Sequence, residues 1–214
     1  MIYLSVVIIK LIIMSKHQIK FYPVGNGDSS LITLENGTTV MIDCHFREGE
    51  EDTDGNKIFP VKDDLLSSLK TKDGKPYVDL FILTHSDKDH CYGFEKHFHI
   101  GYLDDYEEDS QNIVIGELWI TSRVFSYNNN KCDDAKSVRR EAMRRKELYD
   151  NNNANREEHG NKLRIIGYDG DEKLDNIPHY HPGKLINKIN QNNSENFEIF
   201  IHAPFNEELA QADP

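Results

Sequence analysis

Within Thr84-His85-Ser86-Asp87-Lys88-Asp89-His90, four side chains able to ligate a metal (His85, Asp87, Asp89 and His90) fall inside six residues. Imidazole and carboxylate together suit zinc, manganese or iron. His85 and Asp87 can converge on one ion while Asp89 and His90 face a second. Two ions a few ångströms apart can bind a shared hydroxide and stabilise the attacking and leaving oxygens of a displacement. The competing reading is a solvated polar loop with two chance histidines.

The elements that must position this cluster are legible around it. Tyr77–Thr84 (YVDLFILT) is a nearly continuous apolar run, the pattern of a strand buried on both faces, and it ends where the cluster begins. Gln18–Val24 reads as a strand leading into the turn Gly25-Asn26-Gly27-Asp28. Ser30–Leu34 and Thr38–Ile42 then form a hairpin about Asn36-Gly37, with Asp43-Cys44-His45 at its exit. Residues 47–60 are a polar loop, Lys62–Lys70 a short helix, and Ile113–Ser122 a buried strand carrying the only tryptophan, Trp119. Asp134–Tyr149 is a helix bearing Arg139, Arg140, Arg144, Arg145 and Lys146, read either as a solvated face or as a nucleic-acid contact. Lys162–Tyr168 and Phe197–Ala203 are later strands, the second containing His202. Hairpins, buried strands and helices in this alternation predict an α/β sandwich rather than simple βαβ winding.

The remaining histidines carry weaker signals. His97 and His99 fall on different sides of a helix. His179 and His181 form an HxH pair, but Pro178, Pro182 and Gly183 favour a surface turn. His17 and His159 read as solvated.

The chain has 214 residues, enough for one ordinary domain with a real core. Its 37 acidic residues outnumber 25 basic ones, for a net charge of −12. Such a chain does not grip nucleic acid through its whole surface, although a nuclease can take its positive charge from metal ions. Low apolar and high charged content predicts long polar insertions around a compact centre. Three widely spaced cysteines (Cys44, Cys91 and Cys132) with no CxxC fit a reducing compartment, and the expected location is cytoplasmic. The apolar stretch 1–13 is too short to span a bilayer and lacks the flanks of a signal peptide, so no stable membrane span is expected. Met14 reads as a natural start. Residues 1–13 therefore read as an apolar leader or upstream-start artefact, with a weak anchor or an extra buried strand as alternatives. No Gly-rich phosphate cradle and no Ser/His/Asp nucleophile elbow is present.

Taken in order, Val24-Gly25-Asn26-Gly27-Asp28-Ser29-Ser30, Met41-Ile42-Asp43 and Thr84 to His90 resemble the metallo-β-lactamase superfamily. The variant is similar to the metallo-hydrolase domain of ComEC-type competence proteins, in which an aspartate, here Asp87, replaces the second histidine of HxHxDH. The resemblance covers roughly residues 18–95. It implies an αββα sandwich with a site for two divalent ions, Zn2+ first and Mn2+ as the alternative favoured by the harder ligand Asp87. His85 and Asp87 would hold one ion; Asp89 and His90 would hold the other. His202 would be the histidine of a third motif, and Asp89 would help deprotonate the attacking water. Asp43 would orient the metal loop, His45 would stand where a glycine is usual, and Gly25–Asp28 would shape a turn beneath the site.

The implied activity is hydrolysis of a phosphodiester, with nucleic acid as one such substrate. A small ester, lactone or thioester on the same fold is the alternative. The superfamily also expects a bridging aspartate and a final histidine, and the twelve residues after His202 supply neither in a strand-end context. Residues 14–214 thus read as the N-terminal half and part of the middle of the fold, with a polar, helical insertion near 126–160. A half sandwich exposes the inner face of its sheet, which seeks an oligomeric partner or the missing C-terminal half. The non-enzymatic alternative is an inactive partner-binding module.

Overall fold

The computed structural model describes residues 17–49, 51–55, 57–126, 131–167, 172–189, 192–193 and 197–202. The stretch 1–13 and the acidic tail after His202 lie outside them. The apolar runs pair into one eight-stranded sheet. Strands β1 (Gln18–Phe21), β2 (Ser30–Thr33) and β3 (Thr39–Ile42) form an antiparallel meander, and the short β4 (Cys44–His45) continues past β3. Helix α1 (Val61–Ser68) then crosses to the hairpin of β5 (Lys70–Lys72) and β6 (Lys75–Ile82). Helices α2 (Lys88–Cys91) and α3 (Phe94–His97) lead to β7 (Val114–Thr121). Helix α4 (Asp133–Asp150) leads to β8 (Lys162–Ile166), and β9 (His179–Tyr180) closes the sheet. The strand order is β1-β2-β3-β6-β7-β8-β9, with β5 beside β6 and every pair from β3 to β9 parallel.

Three local features depart from the sequence expectation. The first helix stops at Ser68 because Asp73-Gly74, both at positive φ (52° and 78°), fold Lys70–Lys72 back onto Lys75–Tyr77 as a tight hairpin. His179–Tyr180 is a parallel edge strand on Ile165–Ile166, and the expected turn follows it at Pro182-Gly183, where the Lys184 amide donates to the His181 carbonyl at 3.0 Å. His159 is half-buried edge-on to Tyr77 rather than solvated, and burial lowers its pKa.

Among the described residues the α-helices pack on one face of the sheet. Val61 and Leu65 of α1, Phe94 of α3 and Ala135, Val138 and Ala142 of α4 join Leu31, Met41, Phe81, Leu118 and Leu163 in the larger core. Helix α4 is therefore the crossover between β7 and β8, with a fully buried face. Val40, Leu80 and Trp119 point to the opposite face and meet Ile186, Ile189 and Ile201. Ile186 and Ile189 belong to two small sheets, β10 (Leu185–Ile186) with β13 (Ile199–Phe200) and β11 (Lys188–Ile189) with β12 (Asn192–Asn193), and Ile201 directly follows β13. The second face expected to lie bare is thus covered at its centre. It stays open toward β1, where Ile19 and Phe21 are 57% and 79% exposed. Among the described residues no helix is long and apolar enough to cross a membrane.

Candidate metal centre

The site is built at the ends of the adjacent parallel strands β3 and β6. Beyond β3, Asp43 sits 2% exposed in the left-handed region at φ 54°, an uncommon conformation for a residue with a Cβ and one that persists only where neighbours hold it. They do. Its Oδ1 accepts the Thr84 amide at 2.8 Å, and its Oδ2 accepts the Thr84 hydroxyl at 2.6 Å and pairs with Nδ1 of His90 at 2.8 Å. A carboxylate on Nδ1 places the proton there and leaves Nε2 with its lone pair outward, the arrangement found behind metal-ligating histidines.

Three carboxylate or imidazole groups stand around that Nε2. Asp89 Oδ2 lies 3.6 Å away and Asp28 Oδ2 3.7 Å away, and the His85 ring lies with its centroid 3.6 Å from that of His90. A tetrahedral ion with ligands at about 2.0–2.1 Å separates them by about 3.3–3.4 Å, so the two carboxylate spacings are close to ligand distances. His85, Asp89 and His90 form one group able to hold an ion, and Asp28, Asp43 and His90 form a second, sharing His90. In the second group Asp43 already spends both oxygens on Thr84 and His90, which leaves Asp28 as its available carboxylate. Asp89 and Asp28 are exposed and His90 is nearly buried, so the ligand atoms face solvent from a rigid floor.

The turn at 25–28 comes closer than a supporting role requires. The Asp28 amide donates to the Asp89 carbonyl at 3.2 Å. A Cβ on Gly27 would lie 2.0 Å from His45 Nδ1 and 2.8 Å from the Asp89 carbonyl, so only glycine lets this turn pass. Asp28 is the residue that sequence reasoning missed, and a carboxylate ending a Gly-Asn-Gly turn was its only signal.

The other expected site residues are placed differently. Asp87 belongs to neither group. Its carboxylate is 3.8 Å from His85 Nε2 and is held by Lys131 at 3.0 Å, whose ammonium keeps it below the usual carboxylate range. Lys131 lies 44 residues away, which hid this pairing from local spacing. His45 points Nδ1 at the Asp89 carbonyl, 3.1 Å away, and buttresses the loop backbone. His202 belongs to neither group able to hold an ion. It follows β13, which pairs with β10 in a separate small sheet, and its exposed ring packs edge-on against Phe200 at 4.7 Å. Behind the loop, Cys91 donates its thiol to the Asp87 carbonyl at 3.2 Å, and burial pushes its pKa up.

An open cleft of about 680 Å³ begins at Asp89 and His45 and runs beneath the polar loop that follows β4. The arginine-bearing helix does not face it as a basic stripe. Arg145 is fully buried, Arg144 is half-buried against Glu141, and Arg139 donates to the Phe125 carbonyl. The chain matches no protein-family model, and a search of curated proteins finds no match.

Proposed function

We propose that the protein is a metal-dependent hydrolase that cleaves a phosphodiester with an activated water. The observation that carries this reading is the meeting of His85, Asp89 and Asp28 about the Nε2 of a histidine whose other nitrogen is fixed by a buried aspartate. Support also comes from the resemblance of three ordered motifs to the metallo-β-lactamase superfamily and its ComEC-like branch. On that resemblance the helix-covered sheet is one half of an αββα sandwich, and the small sheets on its second face belong to the other.

His85, Asp89, His90 and Asp28 would hold one or two divalent ions, and Asp87 would join them only by sharing its carboxylate with Lys131. Such ions lower the pKa of water and neutralise charge that builds on phosphoryl oxygens. Asp43 keeps the proton on Nδ1 of His90 and so fixes its ring. The Asp89 carboxylate, at the edge of the cleft, accepts a proton from the attacking water as its oxygen bonds to phosphorus. The ester P–O bond breaks, and the same proton returns to the departing alkoxide.

The test is hydrolysis of bis(p-nitrophenyl) phosphate by protein loaded with Zn2+ or Mn2+. Activity should vanish with chelator, and Asp89→Ala should lower kcat by about 100-fold or more. Undiminished turnover in the chelated protein would contradict the proposal. Turnover of p-nitrophenyl acetate with none of the diester would move the substrate class to small esters.

A further inference from the structure

We infer that the cleft beside the metal centre binds a small phosphodiester carrying a single negative charge and turns away polynucleotides. This rests on the hydrolase reading for its chemistry, but its evidence is the cleft itself. The cleft is open and has a volume of about 680 Å³, room for a small ligand laid against one wall. Lys88 stands at its rim, on the same helical turn as Asp89 and His90. Its ammonium lies 5.1 Å above the Tyr92 ring and makes no ion pair among the described residues. It is therefore the cation available to an anion arriving at Asp89. Tyr92 and Ile58 supply apolar wall for the organic arm of such a substrate.

Farther along, the lining turns acidic with Glu48, Glu51 and Asp52. Arg47 is 3.7 Å from Asp52, and Lys96 is 2.6 Å from Glu48, so these two pairs cancel and Glu51 is the net negative charge of this stretch. A phosphodiester with one charge meets Lys88 and leaves the acidic wall alone. A polynucleotide must set its next phosphates against that wall, at a spacing well inside the roughly 8 Å over which physiological salt screens charge. Polynucleotide affinity grows with the number of Lys and Arg that neutralise phosphates. Here the one arginine-rich element, α4, spends Arg144 and Arg145 on internal partners. Size and charge thus select the same ligand class.

The experiment titrates isotopically labelled protein, with and without Zn2+, with methyl phenyl phosphate and with a short oligothymidylate, reading amide shifts by NMR. The small diester should perturb Lys88 and Tyr92 and bind there at least about tenfold more tightly than the oligothymidylate at low salt. Lys88→Ala should weaken it about fivefold. Glu48→Gln with Glu51→Gln should shrink the discrimination without weakening the small diester. Equal or tighter oligothymidylate binding in the cleft, or shifts confined to another surface, would overturn the inference. Diester binding at Lys88 in a protein that takes up no Zn2+ would uphold the cleft and sink the hydrolase reading, which separates the two failures.

Discussion

Two clusters of charge lie on the same sheet and are treated in opposite ways. Around Glu141 everything is satisfied. Its carboxylate accepts Arg145 Nε at 2.7 Å, Arg144 at 2.7 and 3.0 Å and the Gly101 amide at 3.0 Å. Arg145 spends its other two nitrogens on the Lys162 and Ile115 carbonyls, and Arg144 reaches Asn161 and Gly160. Burial raises the pKa of Glu141, but the two guanidiniums outweigh it and hold the acid ionised. Around His90 only the inner side is satisfied, by Asp43 and Thr84, while Asp28, Asp89, His85 and Nε2 of His90 face outward close together. A closed network of charges stitches helix to sheet, whereas a half-closed one, rigid behind and open in front, is a place for a ligand.

That contrast is sharpest in Glu141→Ala, which strands the buried Arg145. It should cost about 3–5 kcal/mol of stability, about 2–4 °C of Tm for each kcal/mol in a domain of this size, read by urea and thermal unfolding. A loss below about 1 kcal/mol would mean the network contributes little. Asp43→Ala should cost less, about 1–3 kcal/mol for the donors left unpaired, and should weaken metal binding about 10- to 100-fold. Metal affinity unchanged by Asp43→Ala would remove the link between floor and ligands. Asp28→Ala and Asp89→Ala should shift stability by no more than about 0.5 kcal/mol, since both side chains are exposed. Each should nevertheless weaken metal binding measured by calorimetric titration, and a folded Asp28→Ala variant that binds normally would return that residue to the turn.

A smaller effect comes from His97, packed on the Phe46 ring at 4.7 Å. Burial, with Lys62 and Lys96 nearby, lowers its pKa from 6.5 to about 4. The unfolded chain therefore takes up this proton first. Stability from this residue is complete above about pH 6.5 and falls as pH drops toward about 4. His97→Phe should flatten that part of the curve, and an unchanged slope would assign it to other groups.

The site was legible in the sequence as far as it is local. The strand Tyr77–Thr84, the hairpin delivering Asp43 and the cluster His85 to His90 all follow from short-range pattern, and the structure places them side by side. What stayed hidden depends on contacts across the chain. Asp28 meets His90, and Lys131 meets Asp87, only because distant loops share one end of the sheet. Arg144 and Arg145 of α4 read as part of a surface stripe because helical periodicity shows a polar face but not the Glu141 and backbone carbonyls that take them inside, whereas Arg140 does lie exposed. His202 follows the short strand Ile199–Phe200 of a separate small sheet and stands in neither group able to hold an ion.

The most direct measurement is the metal content of the purified chain, by elemental analysis after equilibration with Zn2+ and removal of excess, beside the same measurement on His90→Ala. The expected result is at least one tightly held ion per chain in the parent and none in the folded variant. Equal zinc in both, or none in either, would contradict a metal centre organised on His90.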